Sequence, residues 1–600
     1  MNASTVSARL LVRALLASGV RDVVLAPGSR SAPLVYAWAD AETALAESAP
    51  GDGGPLRLHV RIDERDAAFT ALGIAKAGRL TGVDRPVAVV TTSGSAVGNL
   101  HPAVMEAAHA HLPLVLVTAD RPARLRGTGA NQTLDAQHAS LPEVVAAWDL
   151  PVPASGEDAG WATAAEAAVA RACASPAGPV QLNAQFDAPL VPDDIVGDEG
   201  VGDESAGGDT VAAGERAVVG SDPELHASAE ASGTEPGAAH ADGAEPAAAH
   251  RWAAIRELIA DPQARPVLIA GDDLGFGTRT LGALAAEFGV PVLAEPSSAL
   301  AAHPRTIPAH ARVLADPAAA GVLARITHVV VTGRPTLSRP ISQLLARDDV
   351  ERIDVPYDAD GLTDTVRTDP LRAAAPAGAG GWWHAWAALA PAGTGAATGA
   401  TTDAPVVEDE VADPVDAAVL ALLERPGVLV AASSNTIRRL ARLQRPHHPA
   451  RVVASRGLAG IDGLVATASG VALGLEDAGA LEGPVRLLIG DLAAVHDLGG
   501  LVVPTHERRP RLQTVVLHDD GGAIFAGLEH SQPHVVSRFD RFFGTPHGVD
   551  LAAAARALGA EAESVDLRGA GPASGPARLR GFLDRERPGL FEIRLPQVRA

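Results

Sequence analysis

The stretch VRLLIGDLAAVHDLGGLVVPTHERRPRLQTVVLHDDGG, residues 485–522, contains two apolar runs that each end in acidic residues. The first run ends at Gly490 and Asp491, and the second ends further along the chain at Asp519 and Asp520. Short β-branched runs separated by longer connections are typical of parallel strands with crossover helices. Because the carboxyl ends of parallel strands meet at one edge of a sheet, we expect the chemistry at these acidic ends.

The same alternation of short apolar runs and helical stretches recurs along the chain. The predicted strands are residues 20–29, 86–94, 112–120 and 178–186, then 264–273, 290–296 and 327–335, and finally 427–435, 451–457, 485–491 and 512–520. They fall into three blocks, which we call the first domain (1–195), the central domain (248–390) and the third domain (409–600). The sequence therefore predicts an α/β protein of three domains, with mostly parallel sheets flanked by helices.

Two segments between the blocks lack such runs. Residues 196–247 are rich in Asp, Glu, Gly, Ala and Ser. A segment of this composition buries too little apolar surface to offset its ordering entropy, so we predict an acidic disordered linker. Residues 391–408, rich in Ala, Gly, Pro and Thr, are predicted to be a second linker.

Composition excludes several classes of protein. The formal net charge of −23 argues against a nucleic-acid or anionic-membrane binder, because such proteins need a basic face. Any anionic ligand must then be bound by local clusters of arginine. Cys173 is the only cysteine, which excludes an intramolecular disulfide. Arg9 and Arg13 interrupt the N-terminal apolar stretch, and no later run reaches about 18 apolar residues, so we expect a cytoplasmic protein without membrane insertion.

Asp491 and Asp519 are candidate ligands for one hard cation. Mg²⁺ prefers oxygen ligands and commonly takes one or two carboxylates together with phosphate oxygens. Gly490, Gly521 and Gly522 would let the backbone approach those phosphates. Each Asp taken alone also fits a simpler role as the cap of the following helix, but two of them at neighbouring strand ends favour the metal.

The pair GD (490–491) and DDGG (519–522) resembles the Mg²⁺–diphosphate motif of thiamine-diphosphate enzymes, which also have three α/β domains. Further stretches narrow the resemblance. They are APGSRSAPL (26–34), IDERDAAFTALGIAKA (62–77), TTSGSAVGNLHPAVMEA (91–107), VTADRPARLRGTGANQTLDAQ (117–137), SSNTIRRL (433–440), SRGLAGIDG (455–463) and DDGGAIF (519–525). With them the chain resembles the 2-succinyl-5-enolpyruvyl-6-hydroxy-3-cyclohexene-1-carboxylate synthase family of menaquinone biosynthesis. In the central domain the likeness rests on GRPTLSRP (333–340).

The resemblance implies thiamine diphosphate and Mg²⁺, or Mn²⁺ in its place, as cofactors. It implies that the first domain binds the pyrimidine ring and that the third domain binds the diphosphate and the metal. The implied metal ligands are Asp491, Asp519 and the backbone carbonyl of Gly521, while His518 and Asp520 depart from the Asn of the family pattern. The implied cofactor contacts are Glu64, Ile461, Gly490, Gly522 and Phe525.

Glu64 matches the glutamate that hydrogen-bonds N1′ of the cofactor in this superfamily, and desolvation would raise its pKa. Ile461 matches the apolar residue that holds the cofactor in its bent shape. On residue type alone, Glu64 also fits a surface position in the first turn of a helix. Ile461 and Phe525 likewise also fit a hydrophobic core.

The implied substrates are 2-oxoglutarate, which is decarboxylated, and isochorismate, to which the succinyl-semialdehyde carbanion equivalent is added in 1,4 fashion. Both are dicarboxylates, and arginine pairs bidentately with carboxylate oxygens. The implied substrate contacts are Ser29, Arg30, Ser31, Arg121, Asn131, Gln132, Arg339, Arg438 and Arg456. Ser29, Arg30 and Gln132 join Glu64 as implied catalytic residues. A homodimer or homotetramer is implied, because Glu64 of one subunit faces the third domain of another in this superfamily.

Two alternative functions are weighed against this interpretation. One is another thiamine-diphosphate-dependent 2-oxoacid decarboxylase or carboligase. The other is a catalytically silent α/β binding scaffold, which the intact Glu64, Asp491 and Asp519 argue against.

Overall fold

A computed structural model of the chain contains three parallel sheets flanked by helices. It describes residues 2–47, 55–152, 159–193, 252, 254–272, 278–355, 381–391, 413–568 and 574–597. The predicted linker at 196–247, and residues 392–408 of the second predicted linker, lie outside the described residues. The three parallel sheets confirm the predicted fold class.

The first sheet has six parallel strands in the order β2-β1-β3-β4-β6-β5. The strands are β1 (Asp22–Ala26), β2 (Arg57–Val60), β3 (Val87–Thr91), β4 (Leu114–Asp120), β5 (Ala146–Leu150) and β6 (Val180–Gln185). The helices are α1 (Ala3–Ala17), α2 (Ala32–Glu47), α3 (Glu64–Leu80), α4 (Ser95–Asn99), α5 (His101–His109) and α6 (Ala159–Cys173). The four inner strands are buried along their whole length, as expected for a parallel sheet covered on both faces.

The central sheet has four parallel strands in the order β10-β9-β7-β8. The strands are β7 (Pro266–Ala270), β8 (Val292–Ala294), β9 (His328–Thr332) and β10 (Glu351–Asp354). The helices are α7 (Thr278–Phe288), α8 (His310–Ala315), α9 (Ala320–Leu323), α10 (Arg339–Leu345) and α11 (Gly381–Ala387). Hydrogen bonds tie this domain to both others, from Arg334 to the carbonyl of His109 and from Gln444 to the carbonyl of Ala294.

The third sheet repeats the topology of the first, with the order β12-β11-β13-β14-β16-β15. The strands are β11 (Gly427–Ala431), β12 (Ala450–Ala454), β13 (Val485–Gly490), β14 (Leu512–His518), β15 (Ala562–Asp566) and β16 (Gly589–Arg594). The helices are α12 (Pro414–Leu423), α13 (Asn435–Leu443), α14 (Leu464–Asp477), α15 (Asp491–His496), α16 (Ala523–Ala526), α17 (Leu551–Ala557) and α18 (Ser574–Asp584). In the described parts of the chain, no helix combines the length and the apolar character needed to cross a membrane.

Helices α3 and α14 join the first domain to the third. Most residues of both helices are buried, and one hydrophobic cluster includes Leu72 of α3 and Val471 of α14. Glycines allow the two backbones to meet. A Cβ at Gly73 would lie 2.1 Å from the carbonyl oxygen of Thr467, and one at Gly470 would lie 2.0 Å from that of Thr70.

We predict that Gly470→Ala lowers the thermal unfolding midpoint, because its methyl group would force α3 and α14 apart. Overpacking of this kind costs about 1–3 kcal/mol. The matched control is Gly581→Ala, on the exposed side of α18, where a Cβ meets nothing within 4 Å and alanine favours the helix. Equal midpoints for the two variants would contradict the close approach of α3 and α14.

Candidate active site

The acidic ends of β13 and β14 lie side by side, as the sequence predicted. Asp491 is 2% exposed; its Oδ1 accepts a hydrogen bond from the Leu492 amide at 2.7 Å, and its Oδ2 accepts one from the Gly521 amide at 2.9 Å. Burial, and then the charge of Asp491, raise the pKa of Asp519 to about 7. A buried carboxyl group beside a second carboxylate fits a site for a divalent cation.

The turn after β14 depends on two glycines. Gly521 has a φ of +143°, and a Cβ there would lie 2.0 Å from the carbonyl oxygen of Gly544. The Gly522 amide donates to that same carbonyl at 2.7 Å, and a Cβ at Gly522 would lie 2.2 Å from the carbonyl oxygen of Phe543. Neither position has room for a side chain, and the backbone amide of Gly521 faces the carboxylate of Asp491.

Two imidazoles complete this edge of the third sheet. His518 and His547 stack with ring centroids 5.1 Å apart. His547 Nε2 lies 3.2 Å from Asp491 Oδ2, and the backbone amide of His547 donates to Asp520 at 3.1 Å. Phe525 packs edge-on against Phe543, with centroids 5.9 Å apart. His547 was not predictable from the sequence, because it reaches the site from the loop before α17.

The edge of the first sheet holds a fixed arginine. Arg121 donates from Nη1 to Ser93 Oγ and to the carbonyl of Gln132, both at 2.8 Å. Gln132 Nε2 donates to the Ser93 carbonyl at 2.8 Å, and Gln132 has a φ of +53°, a strained conformation for a residue with a side chain. Strain of this kind is common at binding sites, and here it places Gln132 against Arg121.

The loop after β1 supplies the other predicted residues of this edge. Arg30 donates to the carbonyl of Phe186 at 2.8 Å, and burial followed by the charge of Arg121 lowers the pKa of its guanidinium. Ser29 is exposed. Ser31 is buried, and its hydroxyl donates to the Gly28 carbonyl and accepts from the Gly28 amide, so it shapes the turn. Asn131 is exposed beside Gln132.

A buried amide that the sequence analysis missed supports this edge. Gln137 donates to the carbonyl of Ala119 and to Asn183 Oδ1, and its Oε1 accepts from the Gly94 amide at 2.8 Å. It therefore links the ends of β4 and β6 to the turn that carries Ser93. A single glutamine in a polar loop carries no periodic signal by which it could have been found.

The remaining predicted arginines lie where the third and central domains meet. Arg456 is 7% exposed and donates from Nη2 to Thr336 Oγ1 at 2.8 Å. Burial, and then the charge of Arg456, lower the pKa of Arg438. Arg339 is exposed and lies 3.7 Å from Glu529.

Glu64 opens α3 at the junction of the first and third domains. Asp63 caps this helix by accepting from the Arg65 amide at 2.8 Å, which leaves the Glu64 carboxylate free for another partner. That carboxylate accepts from Asn99 Nδ2 at 3.2 Å and is half-buried. Ile461 is 39% exposed.

Glu106, another residue that the sequence analysis missed, holds the loop that carries Ile461. Its two carboxylate oxygens accept from the amides of Gly457 and Leu458, at 2.9 and 2.8 Å. The fully buried Lys76 lies 3.9 Å away and donates to the carbonyl of Ala454. In the sequence, the only indication of this pair was a lysine in α3 and a single glutamate in α5.

Two carboxyl groups meet directly across the same junction. Asp497 Oδ2 accepts from the amides of Val465 and Ala466 at the start of α14, at 2.6 and 3.0 Å, which stabilises its charged form. Arg65 Nη2 lies 3.7 Å from Asp497 Oδ1 and 4.0 Å from Asp66 Oδ1, so these two oxygens share one neighbour. Burial, and then the charge of Asp497, raise the pKa of Asp66 to about 8. Burial raises the pKa of Asp497 as well. We therefore expect the pair to hold one proton, on Asp66, because the two amide hydrogen bonds favour the charged form of Asp497.

Comparison with known proteins identifies the family of the chain. Residues 6–139 match the family described as thiamine pyrophosphate enzyme, N-terminal TPP binding domain. A relative from Kineococcus radiotolerans named 2-succinyl-5-enolpyruvyl-6-hydroxy-3-cyclohexene-1-carboxylate synthase is 40% identical, over 99% of this chain and 98% of the relative. The chain belongs to this synthase family. Synthases of the same name from Arthrobacter sp. and Saccharopolyspora erythraea are 39% and 37% identical, over 96% and 100% of this chain and 89% and 96% of their own lengths.

Solved structures share the fold. Benzoylformate decarboxylase from Polynucleobacter necessarius has a TM-score of 0.61 at 19% identity, covering 99% of this chain and 98% of its own. The thiamine diphosphate-dependent 4-hydroxybenzoylformate decarboxylase of Rhodococcus jostii RHA1 has a TM-score of 0.60 at 18% identity, covering 100% of both chains. The predictions of the synthase family and of a thiamine-diphosphate-dependent enzyme are confirmed.

We predict that Asp66→Asn removes a pH dependence of stability. Between pH 4 and 8 the folded chain is expected to hold a proton on Asp66 that the unfolded chain has released, so the free energy of unfolding falls as pH rises through this interval. Asparagine keeps a hydrogen-bond donor and has no proton to lose. The variant should therefore have the higher unfolding midpoint at pH 8 to 9, measured by calorimetry. Asp348→Asn, at an exposed site, is the control, and identical pH profiles for Asp66→Asn and wild type would contradict the shared proton.

Proposed function

We propose that the chain decarboxylates 2-oxoglutarate and joins the remaining four-carbon unit to isochorismate by 1,4-addition, using thiamine diphosphate and a divalent cation in the cytoplasm. The observation that carries the proposal is the arrangement around Asp491, with a second desolvated carboxylate at Asp519 and a glycine turn closed to side chains. Identity to synthases of this name along the whole chain supports the choice of substrates. Thiamine diphosphate would supply an electron sink for the decarboxylation.

The third domain would hold the cation and the diphosphate. Asp491, Asp519 and the backbone carbonyl of Gly521 offer the oxygen ligands that Mg²⁺ prefers, with Mn²⁺ as the alternative ion. A cation between the two carboxylates would remove the repulsion that raises the pKa of Asp519. Gly490 and Gly522 would face the diphosphate, and Phe525 would form an apolar wall of the site.

The first domain would handle the proton and the substrate carboxylates. Glu64 would hydrogen-bond N1′ of the pyrimidine and hold a proton there, with Ile461 beneath the cofactor. Arg121 is positioned in advance by Ser93 and Gln132, so little entropy is lost when it binds a carboxylate. Ser29, Arg30, Asn131, Arg339, Arg438 and Arg456 would complete the binding of the two dicarboxylates.

A second subunit would complete the site. Apolar side chains are exposed around Glu64 and the loop that carries Ile461: Ile62 is 73% exposed, Leu458 46% and Ile461 39%. Exposed apolar residues grouped at one place are typical of a protein interface. We propose a homodimer as the minimal active unit, with a homotetramer as the larger form.

The direct test is turnover of 2-oxoglutarate with isochorismate in the presence of thiamine diphosphate and Mg²⁺, followed by loss of isochorismate absorbance. Decarboxylation of pyruvate or benzoylformate without use of isochorismate would indicate a different decarboxylase. A thermal-shift titration with the cofactors tests the scaffold alternative, since binding at a hundredfold excess over Kd stabilises by about 2.7 kcal/mol. A silent scaffold would show no shift.

We predict that Glu64→Gln binds thiamine diphosphate with wild-type affinity but loses about 100-fold or more in kcat, because an amide cannot hold the proton at N1′. Steady-state kinetics and calorimetry on the same preparation separate the two effects. Glu482→Gln, at an exposed position, is the control. Turnover near the wild-type rate would rule out this role for Glu64.

We predict that Asp491→Ala loses Mg²⁺ and thiamine diphosphate together, because the diphosphate would face Asp519 and Asp520 without a bridging cation. Removal of an outer-shell partner typically lowers metal affinity about 10- to 100-fold, and the loss in Asp491→Ala should be larger. Isothermal titration measures both ligands, with Asp348→Ala as the control. Normal cofactor affinity in Asp491→Ala would return Asp491 to a helix-capping role.

A further inference from the structure

The ring of His518 is fixed by a buried carboxylate. His518 Nδ1 lies 2.6 Å from Glu592 Oε1, and Glu592 is fully buried on β16 with its Oε2 accepting from the Ala552 amide at 3.3 Å. The His518 side chain is itself only 8% exposed. Because Nδ1 donates its proton to Glu592, the other nitrogen, Nε2, is left to face the site.

Nε2 of His518 faces the carboxylates at the ends of β13 and β14. It lies 3.7 Å from Asp491 Oδ2 and 3.9 Å from Asp520 Oδ1, which are longer than hydrogen bonds. A ring nitrogen beside two carboxylate oxygens is favourable when it carries a proton, or when its lone pair and the oxygens bind one cation. Ligand atoms that each lie about 2.1 Å from one cation are roughly 3 to 4.2 Å apart, and the separation from Asp491 falls in that interval.

His547 has a different role although it is nearer to Asp491. Its Nδ1 accepts a hydrogen bond from the Val549 amide at 3.1 Å, so its proton resides on Nε2. That Nε2 lies 3.2 Å from Asp491 Oδ2 and donates to it. His547 therefore orients the carboxylate of Asp491 and has no lone pair to offer a metal.

We propose that His518 binds the divalent cation of this site through Nε2, beside Asp491, with Glu592 fixing the ring. A carboxylate that accepts the second ring proton of a metal-bound histidine is the common outer-shell arrangement. Imidazole suits transition metals, whereas Mg²⁺ is bound by oxygen. The site therefore favours Mn²⁺ over Mg²⁺ more strongly than an all-oxygen site would. The inference rests on the proposed function for the presence of a cation here.

The test is pulsed electron paramagnetic resonance on the full-length wild-type protein loaded with Mn²⁺ and thiamine diphosphate. Directly bound imidazole gives ¹⁴N modulation of the Mn²⁺ signal, which we expect in wild type and in His547→Asn and which should be absent in His518→Asn. His328→Asn, in the central domain, controls for the substitution itself. The wild-type spectrum alone already decides whether nitrogen is bound, even if His518→Asn fails to fold.

Affinities give a second readout. His518→Asn should weaken Mn²⁺ binding by about 10-fold or more while changing Mg²⁺ binding by less, and Glu592→Gln should shift Mn²⁺ in the same direction. Bound Mn²⁺ without ¹⁴N modulation in wild type, or modulation lost in His547→Asn but kept in His518→Asn, would overturn the role of His518 and leave the proposed function intact. Failure of Mn²⁺ and Mg²⁺ to bind with thiamine diphosphate would overturn both.

Discussion

The contact between α3 and α14 is the constraint on which the rest of the structure depends. Gly73 and Gly470 let the two helix backbones meet, so the first and third sheets are fixed relative to one another. Glu64 begins the first of these helices, and the loop that carries Ile461 leads into the second. Both residues therefore take their positions from a helix contact that involves neither of them.

Buried charges at this junction set the shape of the loop before α14. An unpaired buried charge is costly, and the buried charged groups of this junction contact polar groups of the other domain. Lys76 donates to the carbonyl of Ala454, and Glu106 accepts from two amides of the loop. Asp66 lies beside Asp497, with Arg65 near both. The conformation of the third-domain loop consequently depends on its contacts with the first domain. A change at the junction would alter the loop that carries Ile461.

The sequence was sufficient for most inner strands and for the acidic strand ends. It was insufficient for the supporting residues, for several edge strands and for the inner strand β16, whose apolar run is interrupted by the buried Glu592. Most inner strands are buried on both faces and form continuous apolar runs, whereas β5, β10 and β15 are partly exposed edge strands without such a run. Asp491 and Asp519 were predictable because a residue that ends a parallel strand has a known location. Glu106, Gln137 and His547 were not, because they reach the site from a helix middle or a loop, and only the tertiary fold brings them there.

Like charges lie close together at two sheet edges, negative ones on the third sheet and positive ones on the first. On the third sheet, burial and then the charge of Asp491 raise the pKa of Asp519. On the first sheet, burial and then the charge of Arg121 lower the pKa of Arg30. A cation would relieve the first repulsion and a carboxylate the second, which supports the proposed binding of a metal diphosphate and of anionic substrates. A chain with a net charge of −23 repels such anions over most of its surface. The proposed binding of dicarboxylates would therefore depend on local arginines such as the half-buried Arg30 and Arg121.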